Sequence, residues 1–302
     1  MGQKPSTPPS PPPRRPQPIR TGKHNIIVFG QAGAGKSSVV NMLLGLRDGS
    51  PGSARTSNNA GGCTLDYDGF DVEIDGSRYK LWDTAGLNEG ESGNVPNSTA
   101  IAQLYHLLCD LKDGVSLLIF VVRGPRVVDS VGSNWKLFHE IICQSQVPAL
   151  VAITGFEMQD GGIDGVNQWL TRNDGENRRN LEQYGVEPVD FICMTATRGP
   201  ELGDGSCVFD RLYNDSQSRL RDLIPSASLS QPWCVPPVEW FKKIIKKDIE
   251  TRTFLWFWTR EVEIKREIYV IREEVKEQLQ MQCGLSDGDI KILETRMRRS
   301  AD

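Results

Sequence analysis

The chain has 302 residues, a hydrophobic content of 38%, a charged content of 25% and a formal net charge of −4. This composition is typical of a soluble globular protein and excludes a disordered chain. No run of 18 apolar residues occurs, so no transmembrane helix is predicted. Residues 25–239 carry 16 basic and 27 acidic side chains, and this acidic body makes nucleic acid an unexpected partner. The seven scattered cysteines contain no C-x-x-C pair, which favours reduced thiols in the cytoplasm and no zinc site.

Residues 1–22 form a basic, proline-rich segment, for which we predict a disordered arm with polyproline II character. It begins "MGQKPS", the N-myristoylation pattern, with Gly2 as the acceptor. One myristoyl chain binds membranes only marginally, so the five basic residues of the first 24 are the expected second signal for peripheral membrane contact. Two other interpretations stay open: a solubilising arm, and a "PPPRRP" ligand for SH3-like domains.

Residues 23–224 alternate short apolar runs with amphipathic stretches. Strands are predicted at "NIIVFG", "LDYDGFDVEI", "SRYKLW", "GVSLLIFVV", "PALVAIT" and "VDFICMTA", and helices at about 36–45, 98–112, 131–145, 164–184 and 207–223. The "DG" pair at 75–76 indicates a hairpin. The order predicts an α/β fold, a doubly wound sheet that is mostly parallel with one antiparallel strand pair.

The motif "GQAGAGKSS" lies between an apolar strand and a helical pattern, the context that a phosphate-binding P-loop requires. Its glycines let backbone N–H groups point at phosphate oxygens, and the helix adds its positive end. Lys36 is predicted to contact the β and γ phosphates, and Ser37 to ligate Mg²⁺. The predicted phosphate-binding residues are Gly30, Gly33, Ala34, Gly35, Lys36, Ser37 and Ser38.

A second element, "WDTAG", follows the strand at 77–82. Asp83 is predicted to reach Mg²⁺ through water, and Gly86 to offer its N–H to a γ-phosphate. Thr64 is predicted to complete the Mg²⁺ shell, with Thr56 as its rival. The polar, glycine-rich loop at 46–63 is expected to be held only by what it binds, and so to order with triphosphate. Lys36, Thr64 and Gly86 together are the predicted catalytic groups around the γ-phosphate.

The stretches "GQAGAGKS", "GGCT", "DTAG", "TGFE" and "TAT" occur in that order between residues 25 and 224. In this respect the chain resembles the TRAFAC-class P-loop GTPases, and within them the septin-related immunity-associated nucleotide-binding proteins, or paraseptins. The resemblance implies binding of GTP and GDP with Mg²⁺, slow hydrolysis, and a homodimer formed through the nucleotide face. It also implies a switch or assembly GTPase in the cytoplasm.

"ITGFE" at 153–157 stands where many GTPases carry N-K-x-D. Thr154 replaces the Asn, Gly155 the Lys and Glu157 the Asp, and Glu157 keeps the carboxylate that pairs with two guanine N–H groups. Without the Lys, guanine affinity is expected to fall by about 1 kcal/mol. "TAT" is predicted to supply backbone N–H groups to the base oxygen, from Thr195 and Ala196.

Two departures from regulatory GTPases bear on hydrolysis. Leu87 follows "DTAG" where many carry a Gln that orients the attacking water, so turnover is expected to need Asn88, Glu89 or a second subunit. Ala32 stands where small GTPases have Gly, and its methyl is expected to crowd an arginine finger. A P-loop ATPase or kinase, and a nucleotide-dependent interaction module with negligible hydrolysis, remain as alternatives.

The remaining chain divides into a Pro- and Ser-rich linker at 225–237 and an extension at 238–302. The extension is predicted to be helical because Ile264, Ile268, Ile271, Val275 and Leu279 recur at steps of three and four. "FLWFW" at 254–258 has two interpretations: packing against the body, which the nearby acidic residues favour, or contact with a membrane interface.

Overall fold

The structure is a computed structural model that describes residues 24–54, 67–87, 98–125, 130–159, 161–234, 241–254 and 258–297; for residues 173–174, 241–269 and 297 it describes the backbone alone. Several residues singled out above lie outside these ranges: Gly2, Thr56, Thr64, Asn88 and Glu89. Among the helices described, none is both long and apolar enough to cross a bilayer. The six cysteines described are all free thiols.

A six-stranded sheet organises the body, in the order β2-β3-β1-β4-β5-β6. Only β2 and β3 run antiparallel, joined by the tight turn at 75–76; the other pairs are parallel. The predicted fold class is confirmed. The strands are β1 (His24–Gly30), β2 (Asp68–Ile74), β3 (Ser77–Asp83), β4 (Val115–Arg123), β5 (Ala149–Thr154) and β6 (Asp190–Cys193).

The central strands are buried on both faces. In β1, Ile26 and Val28 face one core cluster while Ile27 and Phe29 face the other. All four are fully buried. Alternate residues of a strand point to opposite faces, so a sheet covered by helices on both sides needs continuously apolar strands. The apolar runs of β1, β4 and β5 have this origin.

Helices cover both faces of the sheet. They are α1 (Lys36–Leu44), α2 (Ser98–Asp110), α3 (Ser130–Trp135) with a π-helical continuation (Lys136–Ile142), α4 (Gly162–Asn167), α5 (Arg172–Gln183), α6 (Asp210–Ala227), α7 (Glu273–Cys283) and α8 (Asp287–Met297). The helix predicted at 164–184 is two helices, α4 and α5. Between them Trp169 is buried, with its ring edge-on to Phe156 at 5.3 Å. This contact draws the chain into the core between the two helices.

The extension is helical only in its second half. The strands β7 (Phe241–Phe254) and β8 (Trp258–Ile271) form an antiparallel hairpin with Phe241 paired to Ile271. The helical prediction is therefore wrong for 241–271 and correct within 273–297. A spacing of four residues, as between Ile264 and Ile268, fits both the helical period and the strand period of two, and β-branched residues favour strands. The "FLWFW" stretch includes residues 255–257, which lie outside the described residues.

The end of the chain packs back on the body. Helix α8 lies along α2, and α7 lies against α3 and its π-helical continuation. Leu279 and Leu293 are fully buried in the core cluster of that face. The predicted linker is also partly structured, because α6 continues to Ala227 and Trp233 exchanges two backbone hydrogen bonds with Val115, at 2.7 and 2.9 Å. The body thus extends at least to residue 234.

Candidate nucleotide site

The phosphate loop connects β1 to α1 at the carboxyl edge of the sheet. Gly33 and Gly35 have φ angles of 71° and 98°, and α1 begins at Lys36 immediately after them. Lys36 is 8% exposed, and its ammonium donates to the Gln31 carbonyl at 2.9 Å. The loop therefore has the strand-turn-helix context that its motif requires, with its cation held across the turn.

A hydroxyl and a carboxylate meet beside this loop. Ser37, in the first turn of α1, donates its hydroxyl to Asp83 Oδ2 at 2.6 Å. The other carboxylate oxygen of Asp83 is buried and has no hydrogen-bond partner among the described residues. Burial raises the pKa of Asp83, while the Ser37 hydrogen bond and the charge of Lys36 partly oppose the rise. A buried carboxylate with an unused oxygen is unfavourable unless a cation or donor reaches it.

These two residues fit a Mg²⁺ ion bound together with a nucleotide. Mg²⁺ prefers oxygen ligands and in nucleotide sites takes only one or two from the protein, with phosphates and waters completing its shell. Ser37 Oγ and the unused oxygen of Asp83 are oxygen atoms of the kind that would fill these positions. Among the described residues there is no cluster of three or more His, Cys, Asp or Glu side chains that would hold a metal without a nucleotide.

The segment after Asp83 closes against the phosphate loop. Gly86 lies so near Ala32 that an ideal Cβ on Gly86 would be 2.6 Å from the Ala32 nitrogen and 2.8 Å from its Cβ. Only glycine fits this approach. Leu87 donates its N–H to the Gly30 carbonyl at 3.2 Å, and its side chain is fully buried in the core. The residue after "DTAG" thus packs the core and does not face the site.

The loop at 46–63 is partly held by the protein itself. Asn41, on α1 and 1% exposed, donates to Asp48 at 2.6 Å and to the Ala54 carbonyl at 3.0 Å, and accepts the Ala54 N–H at 2.6 Å. Asp48 also accepts a 3.4 Å hydrogen bond from Ser38. The expectation that only a ligand holds this loop is therefore wrong for residues 46–54. The sequence signal that identifies Asn41 is an amide within the apolar part of α1.

The "TGFE" loop is anchored at alternate residues. Thr154 is 1% exposed and donates its hydroxyl to the carbonyl of Ala34, in the phosphate loop, at 2.7 Å. Phe156 is fully buried. Gly155, between these two residues, and Glu157, after Phe156, are partly exposed. Within the described chain the Glu157 carboxylate makes no hydrogen bond or ion pair. The loop presents a carboxylate beside the phosphate loop.

The "TAT" segment divides into a structural residue and an available one. Thr195 is fully buried and its N–H donates to the Ser216 hydroxyl on α6 at 3.0 Å. The prediction that Thr195 offers its N–H to a base is therefore wrong. The Ala196 N–H makes no hydrogen bond to the part of the chain that is described. Thr195 fixes the segment to α6, which leaves Ala196 as the candidate donor.

Comparison with protein families agrees with this geometry. Residues 25–154, somewhat under half of the chain, match the family model described as 50S ribosome-binding GTPase. This match supports the prediction that the chain is a P-loop GTPase. The match covers β1 to β5 with the phosphate loop, Asp83 and Thr154. It does not distinguish the paraseptin subgroup. No curated protein sequence matches the chain.

Solved structures give weaker likenesses. A dimerization-deficient mutant of Toc33 from Arabidopsis thaliana has a TM-score of 0.40 and 18% identity, over 67% of this chain and 86% of its own. Toc33 from Arabidopsis thaliana in complex with Mg²⁺ and GMPPNP has a TM-score of 0.38 and 19% identity, over 67% of this chain and 87% of its own. An SsGBP variant has a TM-score of 0.40 and 16% identity, over 67% of this chain and 56% of its own. Likenesses this low do not assign a function.

Proposed function

We propose that the protein binds guanine nucleotides with Mg²⁺ and hydrolyses GTP slowly, as a switch or assembly GTPase. The observation that carries the proposal is the 2.7 Å hydrogen bond from the Thr154 hydroxyl to the Ala34 carbonyl. It joins a phosphate-binding loop directly to a loop whose carboxylate, on Glu157, has no partner among the described residues. A nucleotide with its phosphates on the first loop would place its base against the second.

The residues divide the nucleotide between them. Lys36 and the N–H groups of the phosphate loop hold the β and γ phosphates, and Ala196 donates its N–H to the base oxygen. Glu157 accepts hydrogen bonds from N1–H and N2–H of guanine, which adenine lacks. Ser37 and Asp83 are the residues that would hold Mg²⁺, which offsets phosphate charge when it is bound.

Hydrolysis requires an in-line water. The oxygen of that water bonds to the γ-phosphorus while the bond from the γ-phosphorus to its bridging oxygen breaks. The proton that the water loses passes to the released phosphate or to solvent, and GDP and phosphate result. In this proposal Gly86, which lies against Ala32, donates its N–H to the γ-phosphate. Leu87 cannot orient the water because it is buried in the core. Turnover by a single chain is therefore slow, and we propose that a second copy at the nucleotide face speeds it.

A competition experiment tests the proposal. Displacement of a fluorescent GDP analogue from the purified chain is measured with GTP and with ATP, each with and without Mg²⁺. GTP should displace the analogue at a concentration at least about 100-fold below that of ATP, because ATP leaves Glu157 without its two donors. Equal displacement by ATP would identify a P-loop ATPase instead, and no displacement by either would remove the nucleotide site.

A module that binds GTP without hydrolysing it is the second candidate, and the burial of Leu87 favours it. Single-turnover phosphate release at increasing protein concentration distinguishes the two. We expect release above the uncatalysed rate, with a rate constant that rises with concentration if a second copy assists. No release at any concentration would establish the non-hydrolysing module.

A further inference from the structure

A cation lies where the guanine loop leaves its strand. Arg123 is the last residue of β4, and its register partner on β5 is Thr154, the first residue of the "TGFE" loop. Strand β4 lies between β1, which leads into the phosphate loop, and β5. The carboxyl ends of parallel strands meet at one edge of the sheet, where open α/β folds bind ligands. Arg123 is thus placed between the two halves of the proposed nucleotide site.

The side chain of Arg123 covers Gly155. An ideal Cβ on Gly155 would lie 3.0 Å from Arg123 Nε, 3.3 Å from its Cδ and 2.7 Å from the Gly124 carbonyl oxygen. The φ angle of Gly155 is +94°, a left-handed conformation that favours glycine. A side chain at position 155 is therefore excluded both by its backbone conformation and by its neighbours. The space that it would enter is taken by the arginine from the adjacent strand.

Two other cations near this edge, among the residues that the structure describes, are already engaged. Arg198, next to the "TAT" segment, pairs with Asp210 at 3.2 Å and lies 4.8 Å from the centre of the Tyr213 ring. Arg219 donates to the Cys193 carbonyl and to Asn167. The side chain of Arg123, by contrast, is exposed and makes no hydrogen bond or ion pair to any other residue that the structure describes. Its guanidinium is available to a ligand.

We propose that Arg123 is the cation that faces the guanine ring, supplied by β4 because position 155 cannot carry a side chain. The inference rests on the proposed function, since it needs a base beside Glu157. A guanidinium is planar and weakly hydrated, so it stacks on aromatic faces better than an ammonium does. The sequence-based expectation of weak guanine binding, drawn from the missing lysine, is thereby revised.

Calorimetric titration with GDP tests the proposal on the full chain. Arg123→Ala should weaken GDP binding about five-fold, the range of a partly exposed cation–π contact, and Arg123→Lys about two-fold. The matched control is Arg78→Ala, because Arg78 is an exposed arginine at the start of β3. Its GDP affinity should equal that of the wild type. Inorganic tripolyphosphate, which has no base, should compete with GDP equally well for the Arg123→Ala variant and for the wild type.

The outcomes separate this inference from the proposed function. If the wild type binds no GDP, the proposed function fails and the inference falls with it. If the wild type binds GDP and Arg123→Ala binds within two-fold of it, only the role of Arg123 is overturned. An equal loss of GDP and tripolyphosphate affinity would also overturn it, because Arg123 would then act on phosphate or on folding. Loss of GDP affinity alone supports it.

Discussion

The two halves of the candidate site are built on opposite principles. The phosphate half consists of buried or half-buried groups that are bonded within the loop region: Lys36, which is buried, to the Gln31 carbonyl, and the half-buried Ser37 to Asp83. The base half is more open: Arg123 is exposed and Glu157 partly exposed, and neither side chain makes a hydrogen bond or ion pair within the described residues. Buried charge costs stability until it is compensated, whereas exposed charge costs little.

This difference separates affinity from selectivity. Phosphates and Mg²⁺ compensate groups that are already desolvated, so the phosphate half should supply most of the binding free energy. The base half loses little when empty, and it should decide which base is accepted. The Thr154–Ala34 hydrogen bond is a non-covalent link between the phosphate half and the base half. Substitutions in either half, or in the link, separate the two contributions.

Lys36→Ala should have the largest effect. The proposed function gives Lys36 charged hydrogen bonds to two phosphates, so its removal should weaken GTP and ATP alike by at least about 100-fold. Displacement of a fluorescent nucleotide measures both affinities. The control is Lys112→Ala, an exposed lysine in the turn after α2. A loss of only a few-fold would mean that the phosphate half does not dominate binding.

The phosphate half was the part that the sequence predicts best. Its motif joins a fixed spacing to a strand and a helix, and short-range geometry then determines where Lys36 and Ser37 lie. The apolar runs likewise predict the sheet, because burial on both faces requires them. Asp83 and Gly86 are predicted from a second local motif. In each case the information is contained in a few neighbouring residues.

The base half and the extension depend on contacts between distant segments. Arg123 and Gly155 lie on different strands, and no local pattern announces that one side chain covers the other. Thr195 was assigned a ligand role because its contact with Ser216, on α6, is not visible in sequence. The prediction of a helix at 264–271 was wrong for another reason. A spacing of four residues satisfies the strand period as well as the helical one.

Glu157→Gln should have the next largest effect, and only on selectivity. The amide can still accept one hydrogen bond but offers no charge to two donors, so GTP should bind about 30-fold more weakly. ATP affinity should remain within two-fold of the wild type. Glu187→Gln, at an exposed position before β6, is the control. Parallel losses of GTP and ATP would show that Glu157 supports the fold of the loop and not the choice of base.

Asp83→Asn should lower nucleotide affinity about ten-fold in Mg²⁺ and hardly at all in its absence. Burial raises the pKa of Asp83, so the folded chain without ligand holds this proton more tightly than the unfolded chain. Wild-type stability should therefore fall as pH rises from the ordinary value of 3.8 through the raised pKa. The Asp83→Asn variant has no carboxylic acid at this position, so it should not show this fall in stability with pH.

Urea unfolding between about pH 4 and pH 7 measures that difference. The free energy of unfolding of Asp83→Asn minus that of the wild type should increase with pH. A constant difference across the range would mean that Asp83 is not penalised by burial.

Thr154→Val changes the link with almost no change in shape. Valine keeps the volume but leaves the Ala34 carbonyl without its donor in a buried place, which should cost about 1–2 kcal/mol of unfolding free energy. The loosened link should weaken GTP and ATP by a similar small factor, about three-fold, because both halves lose their common position. Thr154→Ser restores the hydroxyl and is the control. If Thr154→Val lowered stability but left both affinities unchanged, the two halves would bind independently, and the hydrogen bond would serve the fold alone.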